Sequence, residues 1–388
     1  MKKILYMALV DWFWIKQRPH HFCEILSENN SVTYFSRRSW KNSTNVVQTH
    51  SLKENCINES SFKLNNNLDV VRTRVIPKEN EINIIKSINN NFIKNKVKNL
   101  EEKQNFDIIV LTHPSHYDYI PKKMLESKII VYDCMDNYKE FNNGKRDTLI
   151  SNEKKILEIS NIVIVSSINL KAELASYNYE IEKKIFIINN AVDIKSFSLE
   201  NLTKENYVKL IQGTNKYKVG YIGTISNWVD FELIKYIAEK NKDIDFYMIG
   251  PIEKGVDCKG LKDVHNIIFT GSQPYYSIPN ILSQLDVAVM PFIMNKLIQS
   301  VNPVKIYEYM ALGKPTIALR YNEMIALGEI IYTYKTKEEF NDKLRIALNE
   351  GGDKELIKNR IDFANLNTWQ LRVKQFESII SKYIDENE

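Results

Sequence analysis

Residues 302–315, NPVKIYEYMALGKP, have the pattern of one short helix with marked start and stop signals. Asn302 is suited to the N-cap and Pro303 to the first helical position, where its missing N–H costs nothing. Gly313 suits the left-handed residue that follows the last turn, and Pro315 prevents the helix from continuing. We therefore expect a helix that begins just after Asn302 and ends just before Gly313.

Apolar runs flank this helix at residues 286–291 and 315–319, and both are short enough for buried parallel strands. A helix N-terminus beside the carboxyl end of a parallel strand is suited to a phosphate group. Lys305 lies in the first turn and Glu308 one turn later, roughly on the same face. The segment thus predicts a cation for a diphosphate and a carboxylate for ribose hydroxyls. The alternative is a solvated charge pair on an ordinary helix.

The segment PVKIYEYMALGKP also resembles the donor-binding segment of GT-B glycosyltransferases, in particular family 4 and the teichuronic acid biosynthesis glycosyltransferases. The resemblance implies that Glu308 binds the ribose of a nucleotide sugar and that Lys305 lies near its diphosphate. It also implies Asn302 and Pro303 as donor-binding neighbours. Many family 4 enzymes carry a second Glu where this chain has Ser300. The resemblance therefore gives neither the donor-sugar contacts nor the stereochemistry of transfer.

The composition is that of a globular chain with room for two domains. It has 388 residues, of which 44% are hydrophobic and 26% charged. The four cysteines are widely scattered, which indicates reduced thiols in a cytoplasm. The apolar run at residues 4–10 is too short to span a membrane, so we interpret it as a first buried strand.

Positive charge is concentrated near the amino terminus. Residues 1–100 contain 16 Lys and Arg against 8 Asp and Glu, while the whole chain has a net charge of +5. Such a region could face an anionic acceptor or an anionic membrane surface at the inner face of the cell membrane. No nucleic-acid-binding motif is visible, so nucleic acid is not expected as a partner.

Alternating strand and helix patterns fill most of the chain and predict parallel sheets. The strands are expected at residues 3–10, 32–35, 70–76, 107–111, 128–132, 161–165 and 184–188, and again at 218–224, 245–249, 266–269, 286–290 and 316–319. The predicted fold is α/β, GT-B, with two Rossmann-like doubly wound domains facing a cleft. We expect an acceptor domain at 1–198, a linker at 199–216, a donor domain at 217–367, and a C-terminal helix at 368–388 that returns to the first domain.

Residues 79–103 contain apolar residues at helical spacing with lysines between them, a pattern that predicts a basic amphipathic helix. One interpretation is a helix packed on its sheet in the ordinary way. The other is a helix that lies on a membrane surface.

The loop after the first predicted strand, residues 11–21, contains the candidate acceptor-binding residues Trp12, Trp14, Arg18 and His20. Its W…RPHH pattern resembles the opening of the teichuronic-type relatives. Arg18 at a helix start can hold an anion, and exposed tryptophan faces stack on sugar rings. The alternative is a pair of core aromatics and a surface arginine.

Two carboxylates follow the strand at 128–132, and we select Asp136 as the catalytic group because it lies further into the loop than Asp133. A carboxylate there could take the acceptor proton or stabilise positive charge. An N-cap role is the alternative for Asp136. His113, after another strand, is a second catalytic candidate, and a loop histidine with a structural hydrogen bond is the alternative.

In the second half, Gly223 and Thr224 end a strand and resemble the family's loop near the donor diphosphate. Common family 4 members add an Arg and a Lys just beyond, which residues 225–228 do not supply. Gly250 and Tyr275 end neighbouring strands and are candidates to contact the nucleotide base, although a core position is the alternative for Tyr275.

No metal or other cofactor is expected. Asp243-Ile-Asp245 looks like the metal-binding Asp-x-Asp of GT-A transferases, but it begins a Rossmann-like strand, so we interpret it as structural. The predicted function is metal-independent transfer of a sugar, most simply from a UDP-sugar, to a hydroxyl of a glycan or glycolipid in bacterial cell-surface polysaccharide synthesis. The alternatives are a GT-B-fold sugar-nucleotide epimerase and a catalytically inactive GT-B partner subunit.

Overall fold

The chain forms two compact units in a computed structural model that describes residues 1–39, 54–79, 81–141, 144–202, 215–350 and 352–387. The first unit comprises Met1–Asn189 and Val373–Glu388, and the second comprises Asn190–Arg372. Most of the linker expected at 199–216 lies outside the described residues. The expected domain limits stay a prediction.

The first unit contains an eight-stranded sheet in its described part. Its strands are β1 Lys3–Met7, β2 Ser31–Ser39, β3 Ser61–Asn65, β4 Leu68–Val75, β5 Ile108–Leu111, β6 Ile129–Cys134, β7 Ile162–Val165 and β8 Ile185–Ile187. They are arranged in the order β3-β4-β2-β1-β5-β6-β7-β8. Neighbours pair in parallel except β3 with β4, which are antiparallel. The central strands are buried along their length, because crossover helices cover a parallel sheet on both faces.

Helices connect these strands. They are α1 Arg18–Leu26, α2 Asn83–Gln104, α3 Lys122–Ser127, α4 Arg146–Ile159, α5 Ile168–Ala175 and α6 Tyr179–Glu182. A 3-10 turn at Pro114–Tyr119 follows β5.

The second unit contains a six-stranded parallel sheet in its described part. Its strands are β9 Tyr217–Ile222, β10 Ile244–Ile249, β11 Ile267–Gly271, β12 Val287–Met290, β13 Thr316–Leu319 and β14 Tyr332–Tyr334, in the order β11-β10-β9-β12-β13-β14. The connecting helices are α7 Phe231–Lys240, α8 Lys259–Lys262, α9 Ile278–Ser283, α10 Lys296–Gln299, α11 Val304–Ala311, α12 Asn322–Ile325, α13 Lys337–Asn349 and α14 Lys354–Asn365. The order changes direction between β9 and β12, which is where α/β sheets bind ligands.

The last helix, α15 Trp369–Asn387, supplies the terminal part of the first unit. Phe376 packs edge-on against Phe22 of α1, with ring centroids 5.6 Å apart. The Asn30 amide donates to Glu377 at 3.0 Å. The helix therefore completes a core whose other members all come from Met1–Asn189, far earlier in the chain.

The two ends of the second unit lie together. Val192 and Thr368 form a parallel bridge, and the Trp369 N–H donates to the Val192 carbonyl at 3.2 Å. The unit is thus one continuous piece of chain whose entry and exit are neighbours.

The predicted α/β class with two parallel-sheet domains is confirmed, and the expected strands occur within a few residues of their predicted bounds. Two strands were not predicted, the short polar strand β3 and the three-residue strand β14. The expected helix start was wrong by one position. Pro303 is the N-cap and the helix begins at Val304, while Gly313 has the expected left-handed φ of 65°.

Gly250 offers a test of how the second sheet positions its loops. Its φ is +147°, and an added Cβ would lie 2.0 Å from the Gly223 carbonyl oxygen. We expect Gly250→Ala to cost roughly 2–3 kcal/mol of unfolding free energy and to lower Tm, because it adds a backbone clash to backbone strain. Scanning calorimetry would measure the change.

Gly255→Ala is the matched control for this variant. Gly255 has a φ of +92° with no neighbouring atom within 4 Å of the added Cβ, so it reports the backbone strain without the clash. Equal losses of stability from the two variants would contradict the proposed close approach.

Candidate functional site

The candidate donor site is built on α11, which connects β12 to β13 at the carboxyl edge of the second sheet. The helix presents a buried face that includes Ile306, Tyr309 and Met310. Gly313 ends it in the left-handed conformation. Because β12 and β13 are parallel, the first turn of α11 lies at the carboxyl edge of the sheet, and its free N–H groups could hold a phosphate there.

Lys305 and Glu308 form an ion pair on this helix, as their spacing of three residues predicts. Lys305 Nζ lies 2.7 Å from Glu308 Oε2. The Glu308 residue is only 2% exposed, and the lysine side chain is half-buried. Burial raises the pKa of Glu308, the Lys305 charge opposes that rise, and the Asp193 charge adds to it. A cation and a carboxylate are therefore held together at the start of the helix.

Tyr309 attaches α11 to the end of β9. The Ile222 N–H donates to the Tyr309 hydroxyl at 3.1 Å, which brings the Gly223-Thr224 loop next to the helix. The Thr224 carbonyl in turn accepts from the Tyr221 hydroxyl at 2.9 Å. The structure thus gathers Gly223, Thr224 and the ion pair on α11 at one edge.

Gly250 follows β10 and Tyr275 follows the edge strand β11, both at the carboxyl edge of the same sheet. The Gly250 N–H donates to the Gly271 carbonyl at 3.0 Å, which links the ends of β10 and β11. Tyr275 is half-buried and lies edge-on to Phe197, with ring centroids 5.8 Å apart. Their contacts with a nucleotide base stay a prediction.

Asn302 has a structural role that differs from the predicted N-cap. Its side-chain oxygen accepts from the Asn190 N–H at 2.9 Å and from the Tyr307 hydroxyl at 3.0 Å. Its amide donates to Glu323 at 2.7 Å. Asn302 therefore ties the entry of α11 to the start of the second unit instead of capping the helix. The paired Asn189-Asn190 after β8 was the available signal for such a contact.

In the first unit, polar residues again collect at the carboxyl ends of parallel strands. Asp136 follows β6 and is half-buried. Burial raises the pKa of Asp136 to about 7, although the Arg18 charge lowers it. Asn137, not Asp136, is the N-cap of the 3-10 turn that follows. Asp136 is therefore a carboxyl group that can exchange a proton near neutral pH.

Asp133 and Arg18 form a buried, bidentate ion pair. The guanidinium donates from Nε at 3.1 Å and from Nη2 at 2.9 Å, while Nη1 donates to the Ile188 carbonyl at 2.8 Å. The Tyr6 hydroxyl donates to Asp133 at 2.9 Å. Asp133 is thus held by structural contacts. Arg18 is 2% exposed, so the structure places it in the interior and not on an open acceptor surface.

The aromatic members of the predicted acceptor set are divided between core and surface. Trp12 is fully buried, edge-on to Tyr34 with centroids 4.8 Å apart. His20 is also buried, and its Nδ1 accepts from the Gln17 N–H at 3.1 Å. Trp14 is half-buried. The core alternative thus holds for Trp12 but not for Arg18, which is buried instead of lying on the surface. An acceptor contact for Trp12, Trp14 and His20 stays a prediction.

His113 lies beside the Asp136 loop. Its ring is edge-on to Tyr138, with centroids 4.5 Å apart, and its Nδ1 accepts from the Ser115 N–H at 3.1 Å. Burial lowers the pKa of His113 to about 3, with smaller contributions from the Arg37 and Lys145 charges. A neutral imidazole that caps a turn can donate or accept a hydrogen bond but carries no charge at pH 7.

The Asp-x-Asp sequence has protein partners on both carboxylates. Asp243 pairs with Arg345 at 2.8 Å, and Asp245 accepts from Asn215 at 2.8 Å. Across the described residues, no group of three or more His, Cys, Asp or Glu side chains is arranged to hold a metal ion. In the same part of the chain, no helix is long and apolar enough to cross a membrane.

Comparisons of sequence find a related family and a related protein. Residues 216–350 match the family described as Glycosyl transferases group 1. The putative teichuronic acid biosynthesis glycosyltransferase TuaH of Bacillus subtilis (strain 168) is 23% identical over 260 residues, which cover 63% of this chain and 65% of that protein. The chain thus matches slightly less than two thirds of this relative's length.

Solved structures share the fold over the whole chain. Sucrose-phosphate synthase from Thermosynechococcus elongatus has a TM-score of 0.77 at 14% identity, with 100% of both chains covered. Anabaena HepE, in complex with UDP and glucose, has a TM-score of 0.69 at 14% identity, with 98% of this chain and 100% of that chain covered. The chain therefore has the GT-B fold, and its residues 216–350 carry a domain of the family described as Glycosyl transferases group 1.

Proposed function

We propose that the protein transfers a sugar from a UDP-sugar to a hydroxyl of a glycan or glycolipid acceptor in bacterial cell-surface polysaccharide synthesis. The observation that carries this proposal is the Lys305–Glu308 pair at the start of α11. The name of the Bacillus subtilis relative supports the polysaccharide role, and the UDP in the HepE structure supports the donor class. We further propose a cytoplasmic location at the inner face of the membrane.

In the proposed donor complex, the diphosphate lies at the start of α11. The N–H groups of the first turn and the Lys305 ammonium would stabilise the phosphate charge, which increases as UDP leaves. Glu308 would accept hydrogen bonds from the ribose hydroxyls. These protein groups supply the positive charge at the diphosphate, so we propose that no metal ion is required.

In the proposed transfer step, Asp136 accepts the proton of the acceptor hydroxyl. The acceptor oxygen bonds to the sugar C1, the bond between C1 and the UDP oxygen breaks, and UDP carries away the bonding electrons. A carboxyl group with a pKa of about 7 is suited to this proton transfer near neutral pH. The neutral His113 beside it would hydrogen-bond a sugar hydroxyl.

The experiment that tests the function compares UDP-sugars and ADP-sugars by thermal shift and then measures nucleotide release on addition of glycan acceptors. Sustained, acceptor-dependent release of UDP is expected. Conversion of the sugar nucleotide without an acceptor would instead identify an epimerase. Binding without turnover for any donor and acceptor would favour an inactive partner subunit.

The donor site predicts the effect of two substitutions on UDP affinity. Lys305→Ala and Glu308→Gln should each weaken UDP binding by roughly ten- to hundredfold, because each removes a charge-assisted hydrogen bond. Titration calorimetry in the presence of EDTA would measure both effects and show whether UDP binds without a metal ion.

Lys358→Ala is the matched control for the donor variants. Lys358 forms an exposed ion pair with Asp362 on α14 of the same unit. It should therefore leave UDP affinity unchanged. Wild-type affinity in Glu308→Gln would remove the ribose role of that residue.

The Asp136 assignment predicts a loss of turnover with intact donor binding. Asp136→Asn should reduce kcat by about a hundredfold or more and leave UDP affinity unchanged, since it removes a proton acceptor. In the wild type, kcat/KM should rise with pH through about 7, because only the carboxylate accepts a proton. Asp147→Asn, an exposed change in the first turn of α4, is the control. Retained turnover in Asp136→Asn, or a flat pH profile in the wild type, would contradict the assignment.

A further inference from the structure

Helix α2 leaves a row of large apolar side chains in contact with solvent. Ile84 is 72% exposed, Ile88 is 50% exposed and Phe92 is 54% exposed. A spacing of four residues places them on one side of the helix. The helix packs on the first unit by its other side, where Ile93 and Val97 are fully buried. Packing against the sheet therefore does not explain why the exposed row Ile84, Ile88 and Phe92 is apolar.

Two more isoleucines are exposed in the segment that leads into α2. Ile76 is 39% exposed and Ile82 is 42% exposed. Asn89 holds the Ile76 segment against the helix, because its side chain accepts from the Ile76 N–H and donates to the Ile76 carbonyl, both at 2.9 Å. We name the three residues on the exposed side of the helix, Ile84, Ile88 and Phe92, the α2 patch.

Positive charge surrounds the α2 patch. Residues 74–104 contain seven Lys and Arg against four acidic residues, and the acidic residues are Glu79, Glu81, Glu101 and Glu102. Glu102 is paired with Lys98. Glu79 is paired with Arg37. Exposed cations of this segment include Arg74, Lys78, Lys96 and Lys98.

The excess of cations extends from α2 to its neighbour in the fold. Lys86 on α2 and Arg37 both lie near enough to Lys145 to lower its pKa, together with burial, which is the larger cause. Glu79 offsets part of this effect. The surface beside the α2 patch is therefore cationic beyond the helix itself.

We infer that the α2 patch docks the protein on an anionic lipid surface, with its apolar side chains between the headgroups and its lysines against lipid phosphates. An exposed apolar row bordered by Lys and Arg is the composition of helices that lie in a membrane interface. A second copy of the chain fits less well, because a two-fold contact would bring the same cations face to face. The inference rests on the proposed membrane location and gives it a defined surface. It does not rest on the transfer chemistry.

The test is sedimentation of the full-length protein with vesicles of phosphatidylcholine alone and with vesicles that contain 30% phosphatidylglycerol. We expect binding to the anionic vesicles that weakens as salt is raised, and at least tenfold weaker binding to neutral vesicles. The variant with Ile84→Gln, Ile88→Gln and Phe92→Gln should bind anionic vesicles at least tenfold more weakly than the wild type, because it keeps the lysines and loses the apolar row.

A matched control carries Ile325→Gln, Ile346→Gln and Leu366→Gln, which are three exposed apolar positions of the second unit. It should bind vesicles like the wild type. Equal binding to neutral and anionic vesicles, equal binding by the α2 variant, or no vesicle binding would overturn the inference. So would a wild-type dimer that the α2 substitutions dissociate, measured by light scattering. UDP titration of the same samples keeps the two proposals separate, since a loss of UDP binding would concern only the transfer function.

Discussion

The buried carboxylate of Glu308 is the constraint that organises the second unit. A carboxylate removed from water is costly unless a cation or hydrogen bonds stabilise it. Here Lys305 lies 2.7 Å away, one turn earlier on the same helix. The helix itself is fixed by Tyr309, whose hydroxyl accepts from the backbone of Ile222. The position of the ion pair thus depends on contacts that join α11 to β9.

The first unit uses two carboxylates of the same loop in opposite ways. Asp133 is fully buried, but its carboxylate accepts two hydrogen bonds from Arg18 and one from the Tyr6 hydroxyl. These charge-assisted bonds offset the cost of removing the carboxylate from water. Asp136, three residues later, receives less compensation from the same arginine, and burial raises its pKa to about 7. Arg18 therefore acts on both residues, as the ion-pair partner of Asp133 and as a charge that opposes the rise in the pKa of Asp136.

Local periodicity predicted those features that depend on neighbouring residues. The Lys305–Glu308 contact follows from a spacing of three in a helix, and most strands follow from short apolar runs. The role of Asn302 could not be predicted in this way, because Asn190 is 112 residues away. Trp12 and His20 are buried because Tyr34, on the neighbouring strand β2, packs against both rings. A polar or very short strand such as β3 or β14 lacks the apolar run that identifies the others.

The connection between the units has a consequence for synthesis of the chain. The second unit is continuous, with Val192 bridged to Thr368, whereas the first unit needs Phe376 of α15 to cover Phe22. On a ribosome, the amino-terminal unit would therefore have to wait for its closing helix until the whole of the other unit has been translated. The later-made unit is the one that can complete its core first, which reverses the usual order of domain folding during translation.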